Sequence, residues 1–227
     1  MPNDFNNKKL ALDEKTLEQA FRTNFPSPVT SDMFELSDDE KIERIAENFR
    51  DIMQVLGLDL SNDSLQETPL RVAKMYVKEI FSGLDIKSFP KMNFIEDNLQ
   101  HCEKANMVFV KADFCSFCEH HFVPMHGIAH VAYLPNGKLL GLSKIPRLVR
   151  FFSRRPQVQE RLCAQIADSL MTITGSKNVA VSLKAQHYCM VARGIETSNS
   201  HAITNVLHGE FDTNPVTRKE FFDAISR

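Results

Sequence analysis

The stretch Phe114-Cys115-Ser116-Phe117-Cys118-Glu119-His120-His121-Phe122 is the densest in chemistry, with two thiols, a carboxylate and two imidazoles within seven residues. Thiolate and imidazole are the side chains zinc prefers, and three protein ligands leave a fourth position for water, the layout of a catalytic site. Cys118 and His121, three apart, suit two donors on one side of a tight turn. The third donor has two candidates. Cys115 would complete a local Cys-x-x-Cys-x-x-His site. Cys189, in His187-Tyr188-Cys189-Met190, would arrive from far downstream. Spacing alone weighs the two equally. The rival reading, that these thiols are core residues, fits poorly with four polar residues in a row at Cys118-Glu119-His120-His121.

His120 and His187 lie within two residues of candidate ligands. An imidazole titrates near neutral pH, so either suits a general acid or base, while spacing fits a supporting or packing role equally well. Basic residues gather at Lys144, Arg147, Arg150, Arg154 and Arg155, and again at Arg193-Gly194. Such clusters suit phosphate, although a solvated helix face is commoner for any single residue. In Gln159-Glu160 the carboxylate could accept two hydrogen bonds from a ligand's N–H groups or face water. His126, His130, His201 and His208 lack comparable company and read as ordinary strand or surface residues. Cys102 and Cys163 get the same reading, Cys163 on a helix and in the core.

The elements that must position these groups are legible in outline. Residues 1–36 read as a mobile or partner-dependent extension, with a weak helical stripe at Leu10, Leu17, Ala20 and Phe21 broken by Pro26-Ser27-Pro28. Residues 37–106 form a helical region. Ser37-Asp38-Asp39-Glu40 is a capping box ahead of a helix stopped at Gly57, and Thr68-Pro69 opens a second helix ending near Gly83. Residues 107–227 carry the chemistry. Met107–Phe114 and Gly127–Leu134 read as strands, with Pro135-Asn136-Gly137-Lys138 turning into Leu139–Leu142. Helices follow near Lys144–Phe152 and Pro156–Thr172, then strands at Asn178–Ala185 and Ile203–Phe211, and a closing helix at Arg218–Ile225. The result is an α+β unit, strand-strand-helix-helix-strand-strand, with helices on one face of an antiparallel sheet and the other face hidden by assembly.

Composition narrows the class. A formal charge of −2, from 27 basic and 29 acidic residues, argues against a nucleic-acid-coating protein while leaving room for a local phosphate pocket. No apolar run nears the ~20 residues that span a bilayer, and the first residues lack a secretory h-region. Five cysteines, an odd number, read as reduced thiols in a cytoplasmic protein, some kept for a metal.

Taken together, these blocks resemble GTP cyclohydrolase I, a zinc enzyme of pterin and folate biosynthesis. The resemblance rests on Glu67-Thr68-Pro69-Leu70-Arg71-Val72-Ala73-Lys74-Met75, Cys118-Glu119-His120-His121 and Gly141-Leu142-Ser143-Lys144-Ile145. It continues in Arg155-Pro156-Gln157-Val158-Gln159-Glu160-Arg161-Leu162 and His187-Tyr188-Cys189-Met190-Val191-Ala192-Arg193-Gly194, in order from about Ser37 onward. It implies a tunnelling fold, a toroidal homodecamer with sites at subunit boundaries, and conversion of GTP and water to formate and 7,8-dihydroneopterin triphosphate. By motif position, Cys118, His121 and Cys189 would hold Zn2+, and His120 and His187 would be catalytic. Glu160, with Gln159 beside it, would anchor guanine; Lys144, Arg147, Arg193 and Arg71, with Ser143 nearby, would meet the triphosphate. Two stretches depart from the family pattern: Cys115 and Phe117 ahead of the metal motif, and Asn199–Asn205, which replaces a run richer in Thr and Ser.

Overall fold

In the computed structural model, residues 12–30, 35–96 and 107–227 are described; Cys102 lies outside them. The helices are α1 (Glu14–Arg22), α2 (Asp38–Val55), α3 (Thr68–Lys74), α4 (Lys144–Ser153), α5 (Gln159–Thr174), α6 (Tyr188–Val191), α7 (Glu210–Thr213) and α8 (Pro215–Ile225). The strands are β1 (Phe94–Glu96), β2 (Val108–Cys118), β3 (Pro124–Tyr133), β4 (Lys138–Leu140), β5 (Pro156–Gln157), β6 (Val179–His187) and β7 (Ala202–Leu207). The architecture is mixed α/β. Its main sheet has the order β5-β2-β3-β6-β7. Every pairing is antiparallel except the two-residue parallel contact of β5 with β2, Phe117 opposite Pro156 and Cys118 opposite Gln157.

Period-two alternation sends Val131 and Tyr133 of β3, and Val181, Leu183 and Ala185 of β6, into one core with α4 and α5. The intervening Ala132 and Ala180 point to the opposite face, where they pack with Phe211 of α7 and Phe221 of α8. This corrects the expectation of helices on one face only. A short, mostly polar C-terminal stretch gave little periodic warning that two phenylalanines would cap the far side.

Two further differences concern the periphery. Residues 12–30 dock on α5: Ala20 is fully buried, the Asn24 N–H and side-chain amide donate to the Asp168 carboxylate at 2.7 and 2.8 Å, and Gln165 donates to the Phe25 carbonyl at 2.7 Å. The Arg155 guanidinium, 4.7–5.1 Å from the ring centres of Phe21, Phe151 and Phe152, completes the seam. The turn after β3 does not close a hairpin. β4 pairs instead with β1, Leu140 opposite Phe94, in a separate two-stranded sheet. Ahead of it, α2 carries the full Ser37/Glu40 capping box. Helix α3 begins with Thr68-Pro69 and continues into a wider π-turn over Met75–Ile80.

Candidate metal and substrate site

β2 runs through Cys118, four residues past the expected strand end. Along a strand, residues three apart lie on opposite faces, so Cys115 and Cys118 cannot share a metal. Cys118 is buried and Cys115 exposed. Cys115 instead lies opposite His126 of β3. The tie between Cys115 and Cys189 is thus broken by backbone geometry.

After Cys118 the chain reverses sharply. Its N–H donates to the Val123 carbonyl, and the Phe122 N–H returns to the Cys118 carbonyl, both at 2.9 Å. Phe122 adopts φ 53, a left-handed conformation that costs a non-glycine residue roughly 1–2 kcal/mol. Its ring is held 5.3 Å from Phe81, edge to face. The reversal brings His121 Nδ1 to 3.8 Å from Cys118 Sγ, with His120 Nδ1 at the same distance.

The third donor comes from β6. Alternation puts Leu183, Ala185 and His187 on the face toward α5, and the single turn of α6 then carries Cys189 back over Cys118. The donor atoms of Cys118, His121 and Cys189 lie within 4.8 Å of one another. Among the described residues, no other trio of His, Cys, Asp or Glu converges so closely. Burial, and then the neighbouring Cys118 thiol, push the Cys189 thiol above the usual cysteine range. Two thiols and an imidazole gathered this way fit a thiophilic divalent cation, which would reverse that shift by favouring the thiolates.

Around this group the remaining candidates separate. Arg193 Nη1 approaches His121 Nε2 at 3.1 Å. His187 is partly buried, and burial lowers its pKa, with Glu160 opposing. Glu160 is exposed in the first turn of α5, where a carboxylate suits the helix dipole. Gln159, one residue earlier, is 2 % exposed and fully engaged within the chain, unlike its neighbour. Ser143, Lys144 and Arg147 sit at the start of α4 and Arg71 in α3. Among the described residues, their side chains form no hydrogen bond or ion pair. Arg147 opens onto a cleft of about 420 Å³ with Ser82, Arg150 and Arg154. Cys118, His121 and Cys189 do not line this cleft.

Sequence reasoning missed one member of the site's frame, the ion pair between Glu119 and Arg161. The signal was present: Glu119 lies inside the metal motif and Arg161 directly follows Glu160.

The family model for GTP cyclohydrolase I matches residues 45–226. The chain belongs to the GTP cyclohydrolase I family. It is 53% identical over 193 residues to GTP cyclohydrolase 1 of Aeromonas hydrophila subsp. hydrophila, covering 85% of this chain and 87% of that one. It is 47% identical over 218 residues to GTP cyclohydrolase 1 of Vibrio cholerae serotype O1, covering 96% and 94%. Among solved structures, the apo archaeosine synthase QueF-Like overlays 45% of this chain and 95% of its own. Its TM-score of 0.37 and 16% identity are too low to add to the assignment. Among the described residues, no helix is long and apolar enough to cross a membrane.

Proposed function

We propose that this chain converts GTP and water to formate and 7,8-dihydroneopterin triphosphate, the opening step of pterin and folate biosynthesis, as a zinc-dependent homodecamer in the cytoplasm. The observation that carries this reading is the convergence of Cys118, His121 and Cys189 in a member of this family.

The donor set favours Zn2+, with Cys118, His121 and Cys189 as ligands. When bound, the ion would supply Lewis acidity for activating water near neutral pH. Glu160, exposed and, among the described residues, in no hydrogen bond or ion pair, accepts the two N–H donors on guanine's pyrimidine edge, and this orients the purine. His120 and His187 hold and return protons as the imidazole ring opens, formate leaves, the ribose chain rearranges and the pterin ring closes. Arg193 reaches the triphosphate from the metal side, and Ser143, Lys144, Arg147 and Arg71 meet it from a neighbouring subunit. Two features support that division. The cleft that Arg147 opens onto is lined by neither Cys118 nor Cys189. Among the described residues the sheet also has open edges: β7 pairs only with β6, and β2 meets β5 over two residues, an arrangement suited to ring closure between copies.

Purified protein incubated with GTP should release formate and a pterin, fluorescent after oxidation, in equal amounts, and chelation should stop both. Folded, metal-loaded protein that yields neither would overturn the reading.

A further inference from the structure

Gln159 is the first residue of α5, and its side chain turns inward against β6 and β7. Its Nε2 lies 3.2 Å from the Leu183 carbonyl, 3.1 Å from the Ala202 carbonyl and 3.1 Å from Thr204 Oγ1. Two of these are carbonyl oxygens, which only accept, and a hydroxyl can also accept. This end of the amide is therefore the NH2 group, and the amide orientation is settled by its surroundings. The carbonyl end then faces His187, with Oε1 2.7 Å from His187 Nε2. An amide oxygen has no proton to give, so the hydrogen in this contact belongs to the imidazole.

We infer that Gln159 is a positioning residue: it holds the His187 ring in place as the Nε2–H tautomer, leaving Nδ1 as the nitrogen without a hydrogen. The inference rests on the proposed role of His187 in proton transfer during the GTP reaction. The backbone explains why the constraint is firm. Leu183 lies opposite Thr204 in the β6–β7 ladder, and Ala202 lies two pairs along, opposite Ala185. Two of the three acceptors are thus backbone carbonyls of the sheet, and the third is the short hydroxyl of a residue paired within it. With the amide held by the sheet, its oxygen cannot rotate away from the imidazole without leaving a buried polar group unpaired. Glu160, the next residue, points to solvent and is free for the substrate, so adjacent polar residues divide the work between ring orientation and base recognition.

Direct evidence would come from 15N-histidine NMR of the metal-loaded, unsubstituted assembly at about pH 8, where free imidazoles are neutral. His187 is expected as the Nε2–H tautomer, and an Nδ1–H tautomer would overturn the inference. This readout needs neither turnover nor a variant, so it stands apart from the GTP reading. The kinetic arm uses Gln159→Met, which keeps length but offers no acceptor. With metal content and assembly unchanged, kcat should fall about ten- to a hundredfold, the scale of a lost general acid–base contribution, while KM for GTP stays within about twofold. In a His187→Ala background the same substitution should add less than about a twofold further loss, because its effect runs through His187. A raised KM at unchanged kcat, unchanged kinetics altogether, or an equal loss in both backgrounds would each overturn the assignment.

Discussion

The Arg161 guanidinium straddles the Glu119 carboxylate, Nη1 at 2.5 Å from Oε2 and Nη2 at 3.3 Å from Oε1. The Glu119 N–H also donates to the Gln157 carbonyl at 3.0 Å. These contacts pin the turn carrying Cys118 and His121 to the start of α5, which carries Gln159 and Glu160. Glu119 thus braces the turn that carries Cys118 and His121 against the start of α5.

Removing the brace should loosen the metal turn without touching a ligand. Arg161→Met is expected to weaken zinc binding roughly tenfold, the low end for losing an outer partner of a metal site. Competition against a chromogenic chelator reads this directly. Affinity equal to that of the unsubstituted protein would show that the turn holds its shape unaided.

If Arg147 serves a neighbouring subunit's site, two inactive variants should rescue each other. His120→Ala and Arg147→Ala homomers are each expected to lose most activity. Co-assembled subunits should regain a measurable share, because some sites draw His120 from one chain and Arg147 from another. No recovery in mixed assemblies verified by mass would place both residues in one chain's site.

Burial lowers the pKa of the His130 imidazole, and Lys111 beside it adds to the effect. The ring stacks on Phe109, and among the described residues its Nδ1 has no hydrogen-bond partner. Below the ordinary histidine value of 6.5, the unfolded chain binds a proton that the folded chain resists. Stability is therefore full above that value and declines as pH falls through it. His130→Leu should lose less thermal stability than the unsubstituted protein between about pH 7 and pH 5.5. His187 shifts the same way but is common to both proteins, so the comparison cancels it. Parallel pH profiles would contradict the prediction.

The local chemistry was readable in the sequence because it is local. Cys118 and His121 sit in one turn, and the Ser37 and Thr68-Pro69 signals start α2 and α3. What spacing could not decide was tertiary. The choice of Cys189 over Cys115 depends on β2 continuing through Cys118, which flips Cys115 to the other face. The pairing of β4 with β1 overrode a plausible hairpin turn, since Phe94 and Leu140 are both buried in the main core. Gln159 and Glu160 look alike in sequence, and only the sheet beneath α5 distinguishes them. The placement of α7 and α8 was hidden for a similar reason: the small residues Ala132 and Ala180 do not announce a second packed face.

That second face makes a stability prediction. Phe221 is fully buried and meets Phe211 and Phe109 at ring distances of 5.7 and 6.0 Å. Phe221→Ala should cost about 3–5 kcal/mol, the range for deleting a buried phenylalanine. Denaturant unfolding measures it, and a loss under about 1 kcal/mol would mean that α8 contributes little to the fold.

The central claim is that Cys118, His121 and Cys189 form one metal site on which turnover depends. Its most direct test is to remove the metal, restore zinc stepwise, and follow GTP turnover against bound zinc per chain. The expected result is activity rising linearly and levelling at one zinc per chain, with Cys189→Ala failing both to retain zinc and to turn over GTP. Full activity in metal-free protein, or a Cys189→Ala variant that keeps both zinc and turnover, would contradict it.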